Sequence, residues 1–224
     1  MVLAPAELAR FIDHTLLKPD ATVRELDELC TQAVRFGFYG VCVNSVRIGH
    51  VADRLAGRGP LPVSVVGFPL GASPSAVKAL EMATAVEQGA REIDMVLNLG
   101  AFKDGDHALV AADVAAVVRA AQGVPVKVIL ETALLSDEEI LLACNICVNS
   151  GAVFVKTSTG FGSGGATVEA VRLMRKAVGP EVGVKASGGI STYEKALSML
   201  DAGANRIGAS ASVAIVSAKN PEGF

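Results

Sequence analysis

The sequence predicts an α/β protein in which eight short strands alternate with helices and close into a (β/α)8, or TIM, barrel. Apolar segments of strand length recur roughly every 20 to 35 residues, the span of a βα unit. Eight such segments fit into the 224 residues, as a closed barrel requires. A doubly wound open sheet is the alternative, but it usually has fewer strands and a G-x-G-x-x-G fingerprint early in the chain. No such motif follows the first strand.

The predicted strands are short and largely apolar, and helix patterns separate them. The strands cover residues 11–17, 40–44, 63–67, 92–98, 126–131, 152–155, a seventh that begins at 183, and 205–210. The helices cover 22–36, 45–55, 73–88, about 107–121, one that opens at 136, 167–178, 192–202 and about 211–218. Thr22 with Glu25, and Ser136 with Glu139, have the spacing of capping boxes, and Gly37 is a typical helix end. Since no linker or low-complexity segment interrupts this order, we treat residues 1–224 as one domain.

The composition indicates an ordinary globular protein. Hydrophobic residues make up 51%, charged residues 19%, and the formal net charge is −3. Without a Lys/Arg cluster, the chain gives no sign of a nucleic-acid surface. Four cysteines in a chain of this length do not predict a disulfide framework. The N-terminus lacks the layout of a signal peptide, and no apolar run reaches the ~18 residues that span a membrane. We therefore expect a cytoplasmic protein with no membrane partner.

Two predicted strands each contain a lysine near their carboxyl end, and small residues and glycine follow it. Lys156 ends the apolar run 152–155, and Lys185 lies in the segment 183–189. An unpaired ammonium is costly to bury, so each lysine is paired, reaches water or has a function. The pattern points to amine-dependent chemistry beside a phosphate site.

Alternate side chains of a barrel strand point inward, so Glu92 shares a face with Asp94, and Glu131 shares a face with Lys127. The pattern predicts a lysine–carboxylate cluster inside the barrel, formed by these residues together with Lys156 and Lys185. A structural ion-pair network is the alternative interpretation. An amine attacks a carbonyl only when it is neutral, and a second cation nearby lowers the pKa of a lysine from its ordinary ~10.4. Lys156 is the better nucleophile candidate and Lys185 the neighbouring cation, although spacing alone allows the reverse. Asp94 is either a proton-transfer group or a simple salt-bridge partner.

The loops after the seventh and eighth strands are rich in glycine. In many barrels these loops bind phosphate through backbone N–H groups. Here they contain Gly188, Gly189, Gly208 and Ser210. Thr159 and Gly160, which follow the sixth strand, are expected to form one side of the same phosphate site. The sequence therefore predicts a phosphate site at this end of the barrel.

Several other polar residues have a plainer interpretation. Cys144 and Cys147 resemble a redox pair but lie within a predicted helix, where packing in the core is the better account. The three histidines have no metal-ligand spacing, so we expect no metal site. Asp13 or Thr15 lines the mouth of the barrel or makes structural hydrogen bonds. Cys42 is interpreted as a small core residue.

Six segments together resemble the 2-deoxyribose-5-phosphate aldolase family, nearly end to end. They are Ile12–Lys18, Val66–Gly71, Glu92–Val96, Lys127–Thr132, Val155–Gly162 and Val184–Ile190. The resemblance implies a class I aldolase on a (β/α)8 barrel that needs no metal or other cofactor. Its substrates would be a phosphosugar and small aldehydes, and its reaction the reversible cleavage of 2-deoxy-D-ribose 5-phosphate into D-glyceraldehyde 3-phosphate and acetaldehyde. Members are often dimeric, which makes a homodimer an expectation here.

The resemblance also implies a role for each matching residue. It makes Lys156 the Schiff-base lysine, Lys185 the second lysine that lowers its pKa, and Asp94 the proton-transfer carboxylate. The implied phosphate ligands are Gly188, Gly189, Gly208 and Ser210, with Thr159 and Gly160 nearby. The implied pocket residues are Asp13, Cys42 and Lys127.

This chain departs from some members of the family at three positions. It ends in Phe224, where some members have a tyrosine that assists proton transfer. Phe161 replaces a lysine and Ala211 replaces a serine of the phosphate loop, which shifts phosphate binding toward backbone N–H groups. Two other functions stay open at this point: a phosphosugar isomerase or synthase without covalent chemistry, and a barrel that binds phosphosugars without turnover.

Overall fold

The computed structural model describes residues 3–218, and its centre is a closed barrel of eight parallel strands. The strands are β1 (Ile12–Leu16), β2 (Gly40–Val43), β3 (Leu61–Val66), β4 (Glu92–Val96), β5 (Val126–Ile129), β6 (Phe154–Lys156), β7 (Gly183–Ser187) and β8 (Arg206–Ala209). Each strand pairs with its neighbours in sequence, and β8 returns to pair with β1. The predicted fold class is confirmed.

Within the described residues 3–218, ten helices precede, connect or follow the strands and surround the barrel. They are α1 (Pro5–Ala9), α2 (Val23–Phe36), α3 (Ile48–Leu55), α4 (Ser75–Glu87), α5 (Leu99–Lys103), α6 (His107–Ala120), α7 (Asp137–Asn149), α8 (Val168–Val178), α9 (Tyr193–Asp201) and α10 (Ser212–Ser217). None of these helices is long and apolar enough to cross a membrane.

Sequence analysis missed the two five-residue helices α1 and α5. Segments this short show too little of the helical period to be recognised. The fourth strand consequently ends at Val96, because the Asn98 side chain accepts a hydrogen bond from Ala101 N at 3.2 Å and begins α5. The predicted helix over 45–55 opens with a 3₁₀ turn, Ser45–Arg47, before α3 begins.

The predicted helix ends are confirmed at both capping boxes. In α2, Thr22 Oγ1 accepts from Glu25 N at 3.3 Å, while Glu25 Oε2 accepts from Thr22 N at 2.8 Å. These contacts satisfy donors that the first turn of a helix leaves free. Gly37 ends α2 with a φ of 67°, a left-handed conformation that glycine adopts without strain.

The main apolar core lies between the strands and the surrounding helices. Cys144 and Cys147 on α7 are both fully buried in it, with free thiols. Burial raises the pKa of the Cys144 thiol to about 12, so these cysteines are packed as hydrophobic residues, and the redox interpretation is wrong. Outward-facing strand residues such as Met95 and Val155 complete this layer.

One ion pair is buried in this outer layer, far from solvent. Lys78 of α4 donates to Asp113 Oδ2 of α6 at 2.7 Å and to the carbonyl oxygen of Val96, at the end of β4, at 3.0 Å. Both side chains are 0% exposed. The pair therefore ties two helices to the strand that carries Asp94.

Replacing Lys78 by methionine should lower the free energy of unfolding by about 3–5 kcal/mol, because Asp113 would remain buried without its cation. Chemical denaturation followed by circular dichroism measures this change. The double variant Lys78→Met/Asp113→Leu is the control, since removal of both charges should restore most of the loss. A single variant as stable as the parent protein would contradict this account of the pair.

Candidate active site

Seven ionisable side chains fill the inside of the barrel, and all are nearly or fully buried. The three acids are Asp13, Glu92 and Asp94, and the four cations are Lys127, Lys156, Lys185 and Arg206. They come from six of the eight strands and form one connected set of ion pairs. We call this set the barrel ion network.

Asp94 is the centre of the barrel ion network. Its Oδ1 accepts a hydrogen bond from Lys127 at 2.9 Å, and its Oδ2 accepts from Lys156 at 2.8 Å and from Lys185 at 2.7 Å. Burial by itself would raise the pKa of Asp94, but the three lysine charges outweigh burial and hold the pKa well below its usual range. Asp94 is therefore an ionised carboxylate shared by three lysines.

The pairs around Asp94 extend the network to the base of the barrel. Lys185 donates to Asp13, and Arg206 donates to Asp13 at 3.0 Å and to Glu92 at 2.9 Å. Burial alone would lower the pKa of Lys185, but Asp13 and Asp94 outweigh it and raise the pKa above the ordinary lysine value. Lys185 is thus a fixed positive charge at neutral pH.

Lys156 differs from the other three cations in the number of its carboxylate partners. Lys127, Lys185 and Arg206 each contact two carboxylates, whereas Lys156 contacts Asp94 alone. Three carboxylates face four cations, which leaves one positive charge in excess. Lys156 is therefore the cation that the fewest ion pairs hold in the network.

Two glycines make room for this arrangement inside the barrel. A Cβ atom at Gly183 would lie 2.1 Å from the ring of Phe154, which points inward as predicted. A Cβ atom at Gly208 would lie 3.1 Å from Cε of Lys185. Any larger residue at either position would displace the side chains that the network needs.

Lys156 opens onto a cavity of about 310 Å³ at the carboxyl ends of the strands. Eight of the predicted site residues line this cavity: Thr15, Lys156, Thr159, Gly160, Gly188, Gly189, Gly208 and Ser210. Phe161 and Ala211, the two departures from the family pattern, line it as well. An amine at the floor and glycine-rich backbone on one wall suit a carbonyl compound with an anionic tail.

The remaining five predicted residues do not line the cavity. Asp13, Asp94, Lys127 and Lys185 lie beneath it in the barrel ion network, each 0% exposed. Cys42 packs in a small apolar cluster with Val63 and Val65, and burial raises the pKa of its thiol to about 11. The substrate-binding roles of Asp13, Cys42 and Lys127 and the catalytic roles of Asp94 and Lys185 stay predictions, as does the role of Phe224, which lies outside the described residues.

Sequence reasoning missed two residues of this region and misplaced a third. Arg206 lies opposite Lys185 in the strand register, so the rule of alternate inward side chains could have found it. Lys18 lines the cavity from the loop after β1. Glu131 was expected in the lysine–carboxylate cluster, but β5 ends at Ile129 and Glu131 follows it with a left-handed φ of 53°, outside the barrel ion network.

His14 and His50 each have a side-chain partner from a helix. His14 is hydrogen-bonded to Gln32, and His50 to Asp27. Over residues 3–218, no group of three or more His, Cys, Asp or Glu side chains is arranged to hold a metal ion.

Comparison with known proteins decides the family. The profile of the DeoC/LacD family of aldolases matches residues 8–218. The chain belongs to this family. The resemblance found in the six sequence segments is thereby confirmed, and the family accounts for nearly the whole described barrel.

Individual relatives agree with this assignment. The chain is 54% identical over 221 residues to a deoxyribose-phosphate aldolase of Thermococcus gammatolerans, with 96% of this chain and 98% of the relative covered. It is 54% identical over 209 residues to one from Lysinibacillus sphaericus, with 93% and 94% covered. Among solved structures, the tetrameric deoxyribose phosphate aldolase of Aeropyrum pernix superimposes with a TM-score of 0.91 at 36% identity, over 97% of this chain and 93% of that one.

The lowered pKa values of Asp13 and Asp94 determine how stability should respond to acid. A carboxylate with a lower pKa in the folded state stabilises the fold above its unfolded pKa and loses that contribution as pH falls through its folded pKa. We expect the contribution of these two acids to the free energy of unfolding to stay constant down to about pH 4. It should decrease below the ordinary aspartate value of 3.8.

Asp94→Asn is the variant that tests this expectation. It should be about 3–5 kcal/mol less stable at neutral pH, because three lysines lose their shared carboxylate. Its stability should also fall less steeply below pH 3.8, since position 94 no longer titrates. Urea unfolding across the pH range measures both effects, and an unchanged acid slope in the variant would contradict the assignment.

Proposed function

We propose that this chain is a class I deoxyribose-phosphate aldolase, formed by residues 1–224 as a single domain. The observation that carries the proposal is Lys156, the amine of the barrel ion network that opens onto the cavity. The named relatives support the substrate, 2-deoxy-D-ribose 5-phosphate. The products are D-glyceraldehyde 3-phosphate and acetaldehyde.

The reaction begins with neutral Lys156, which attacks the C1 aldehyde of the open-chain sugar. Lys185 favours the uncharged amine, because its own charge is fixed and lies on the same carboxylate oxygen of Asp94. The adduct is a carbinolamine, which loses its hydroxyl as water to give an iminium. Asp94 Oδ2 is 2.8 Å from Lys156 Nζ and can receive the proton that the nitrogen releases.

Carbon–carbon cleavage follows from the iminium. A base removes the proton of the C3 hydroxyl, the C3 carbonyl forms, and the C2–C3 electron pair moves toward the iminium nitrogen. Glyceraldehyde 3-phosphate leaves, and the enamine is protonated at C2. Water then hydrolyses the acetaldehyde iminium and restores Lys156. The reverse sequence forms the same bond, so the enzyme also condenses the two aldehydes.

The phosphate end of the substrate lies against the glycine-rich wall. Gly188 and Gly189 have φ values of 91° and 69°, which turn their backbone toward the cavity in a conformation suited to glycine. Gly208 and Ser210 complete this wall, while Lys18 supplies a positive charge from the loop after β1. Thr159 and Gly160 form the side nearest Lys156.

The two other functions explain less of the site. A non-covalent phosphosugar isomerase accounts for the glycine-rich wall but gives no function to the excess cation or to the Lys156 amine that lines the cavity. A binding protein without turnover has the same difficulty, since burying seven ionisable groups is costly when no reaction needs them.

Incubation with acetaldehyde and borohydride tests the proposal, because borohydride reduces an iminium to a stable secondary amine. Peptide mass spectrometry should find one ethyl group on Lys156, and the variant Lys156→Leu should lose both the label and cleavage activity. Lys18, a lysine on the same cavity, is the internal control and should stay unlabelled. Labelling of Lys18 or of surface lysines with Lys156 untouched would favour the non-covalent functions.

We also propose a cytoplasmic homodimer. The free state of all four buried cysteines agrees with a reducing compartment. Val46, Val77 and Leu80 are 81%, 51% and 68% exposed and line one groove beside α4. Apolar side chains clustered in this way are typical of a protein interface, and a relative from A. pernix is described as tetrameric.

Leu80→Glu should convert the dimer into monomers, since a charge in the centre of an apolar interface is strongly unfavourable. Light scattering after size-exclusion chromatography measures the mass. Leu109→Glu, at another exposed leucine, is the matched control and should leave the mass unchanged. A parent protein with the mass of one chain would refute the dimer.

A further inference from the structure

Glu131 is the buried acid beside the cavity that the barrel ion network does not use. It follows β5 and is 4% exposed. Its φ of 53° and ψ of 61° place a non-glycine residue in the left-handed region, which carries a conformational cost. Over residues 3–218, no lysine, arginine or histidine lies within 4.0 Å of its carboxylate.

The carboxylate instead holds the segment that follows Lys156. Glu131 Oε2 accepts a hydrogen bond from Thr159 N at 3.2 Å and another from Thr159 Oγ1. Thr159 Oγ1 in turn accepts from Phe161 N at 3.1 Å. A Cβ atom at Gly162 would lie 3.1 Å from Glu131 Cδ, so the chain passes close over the carboxylate.

The hydrogen bonds of Glu131 do not offset the unfavourable burial of its carboxylate in the folded protein. A carboxylate buried without a cation is costly, and its Oε1 is a buried atom with no hydrogen-bond partner among the described residues. The left-handed backbone adds to that cost. The arrangement lowers the stability of the fold, yet it holds three residues of the cavity wall in place. This combination indicates a function in the site.

The segment that Glu131 holds is the cavity wall between the amine and the proposed phosphate end. Thr159, Gly160 and Phe161 all line the cavity, directly after the strand that ends in Lys156. Phe161 also contacts Phe68 edge-on, with ring centroids 5.3 Å apart, so the segment reaches across to the loop after β3. Its position depends on Thr159, and Thr159 is bound to Glu131.

We propose that Glu131 is a positioning residue that fixes the segment 159–161 for the phosphate end of the substrate. The inference rests on the proposed function and adds a residue to it. Since Glu131 does not line the cavity, it acts through Thr159 rather than on the reacting carbons. Its loss should therefore weaken binding of the phosphorylated sugar and leave imine formation at Lys156 intact.

Steady-state kinetics with two substrates, 2-deoxyribose 5-phosphate and unphosphorylated 2-deoxyribose, isolates this effect. For Glu131→Ala, the KM of the phosphorylated sugar should rise by about tenfold, because Thr159 loses both of its hydrogen bonds to the carboxylate, while kcat changes by less than about threefold. The kcat/KM of the unphosphorylated sugar should change by less than about threefold. Glu131→Gln keeps an acceptor for Thr159 and should recover most of the loss.

Glu81 provides a matched control on the other side of the barrel mouth. Its carboxylate also holds a loop, accepting from Gly67 N at 2.8 Å and from Ser45 Oγ at 2.6 Å, but it does not line the cavity. Glu81→Ala should leave both KM values unchanged. If Glu131→Ala does not fold, Thr159→Val removes one of the two hydrogen bonds, and it should raise the KM of the phosphorylated sugar alone.

Two results would overturn the positioning role. One is an unchanged KM for the phosphorylated sugar in Glu131→Ala and in Thr159→Val. The other is an equal loss of kcat/KM with both sugars, which a general structural defect would produce. Borohydride labelling of Lys156 in the parent protein is independent of both, so its absence would refute the aldolase itself rather than the role of Glu131.

Discussion

The constraint on which this structure depends is the burial of seven ionisable side chains inside one barrel. A charge removed from water is tolerated only when opposite charges and hydrogen bonds replace its hydration. Asp94 meets that requirement for three lysines at once, and Arg206 joins the two remaining acids at the base. The barrel can therefore close only with these side chains in register, which fixes where Lys156 emerges.

The same constraint distinguishes the three lysines of the network by the number of carboxylates that each contacts. Lys185 is held as a cation by two carboxylates, so its charge is constant over the working pH range. Lys156 has a single carboxylate partner and the only exposed fraction among the three lysines of the network, at 3%. An enzyme that needs a neutral amine next to a permanent cation obtains both from this unequal distribution of acids.

Most residues of the barrel ion network could be predicted from the alternation of inward and outward side chains along each strand. Part of the cavity wall could not be predicted in this way. Lys127, Lys156, Lys185 and Asp94 were predicted because each is a charged residue at an inward position of an apolar strand. Arg206 obeys the same rule and was overlooked. Alternation also placed Glu131 in this cluster, but its contact with Thr159 could not have been predicted, because that contact joins two loops 28 residues apart and depends on a left-handed backbone.

By itself, the sequence determined the order of the elements, the closed barrel and the inward lysines, because hydrophobic period, capping boxes and glycine positions act over short stretches of chain. Only the tertiary structure decided which residues face the substrate cavity and which lie beneath it. Asp94 and Lys156 both occupy inward positions, yet one is enclosed and the other opens onto the cavity. The depth of a side chain along the barrel axis depends on the tilt of the strands and on the closure of the barrel. Both are properties of all eight strands together.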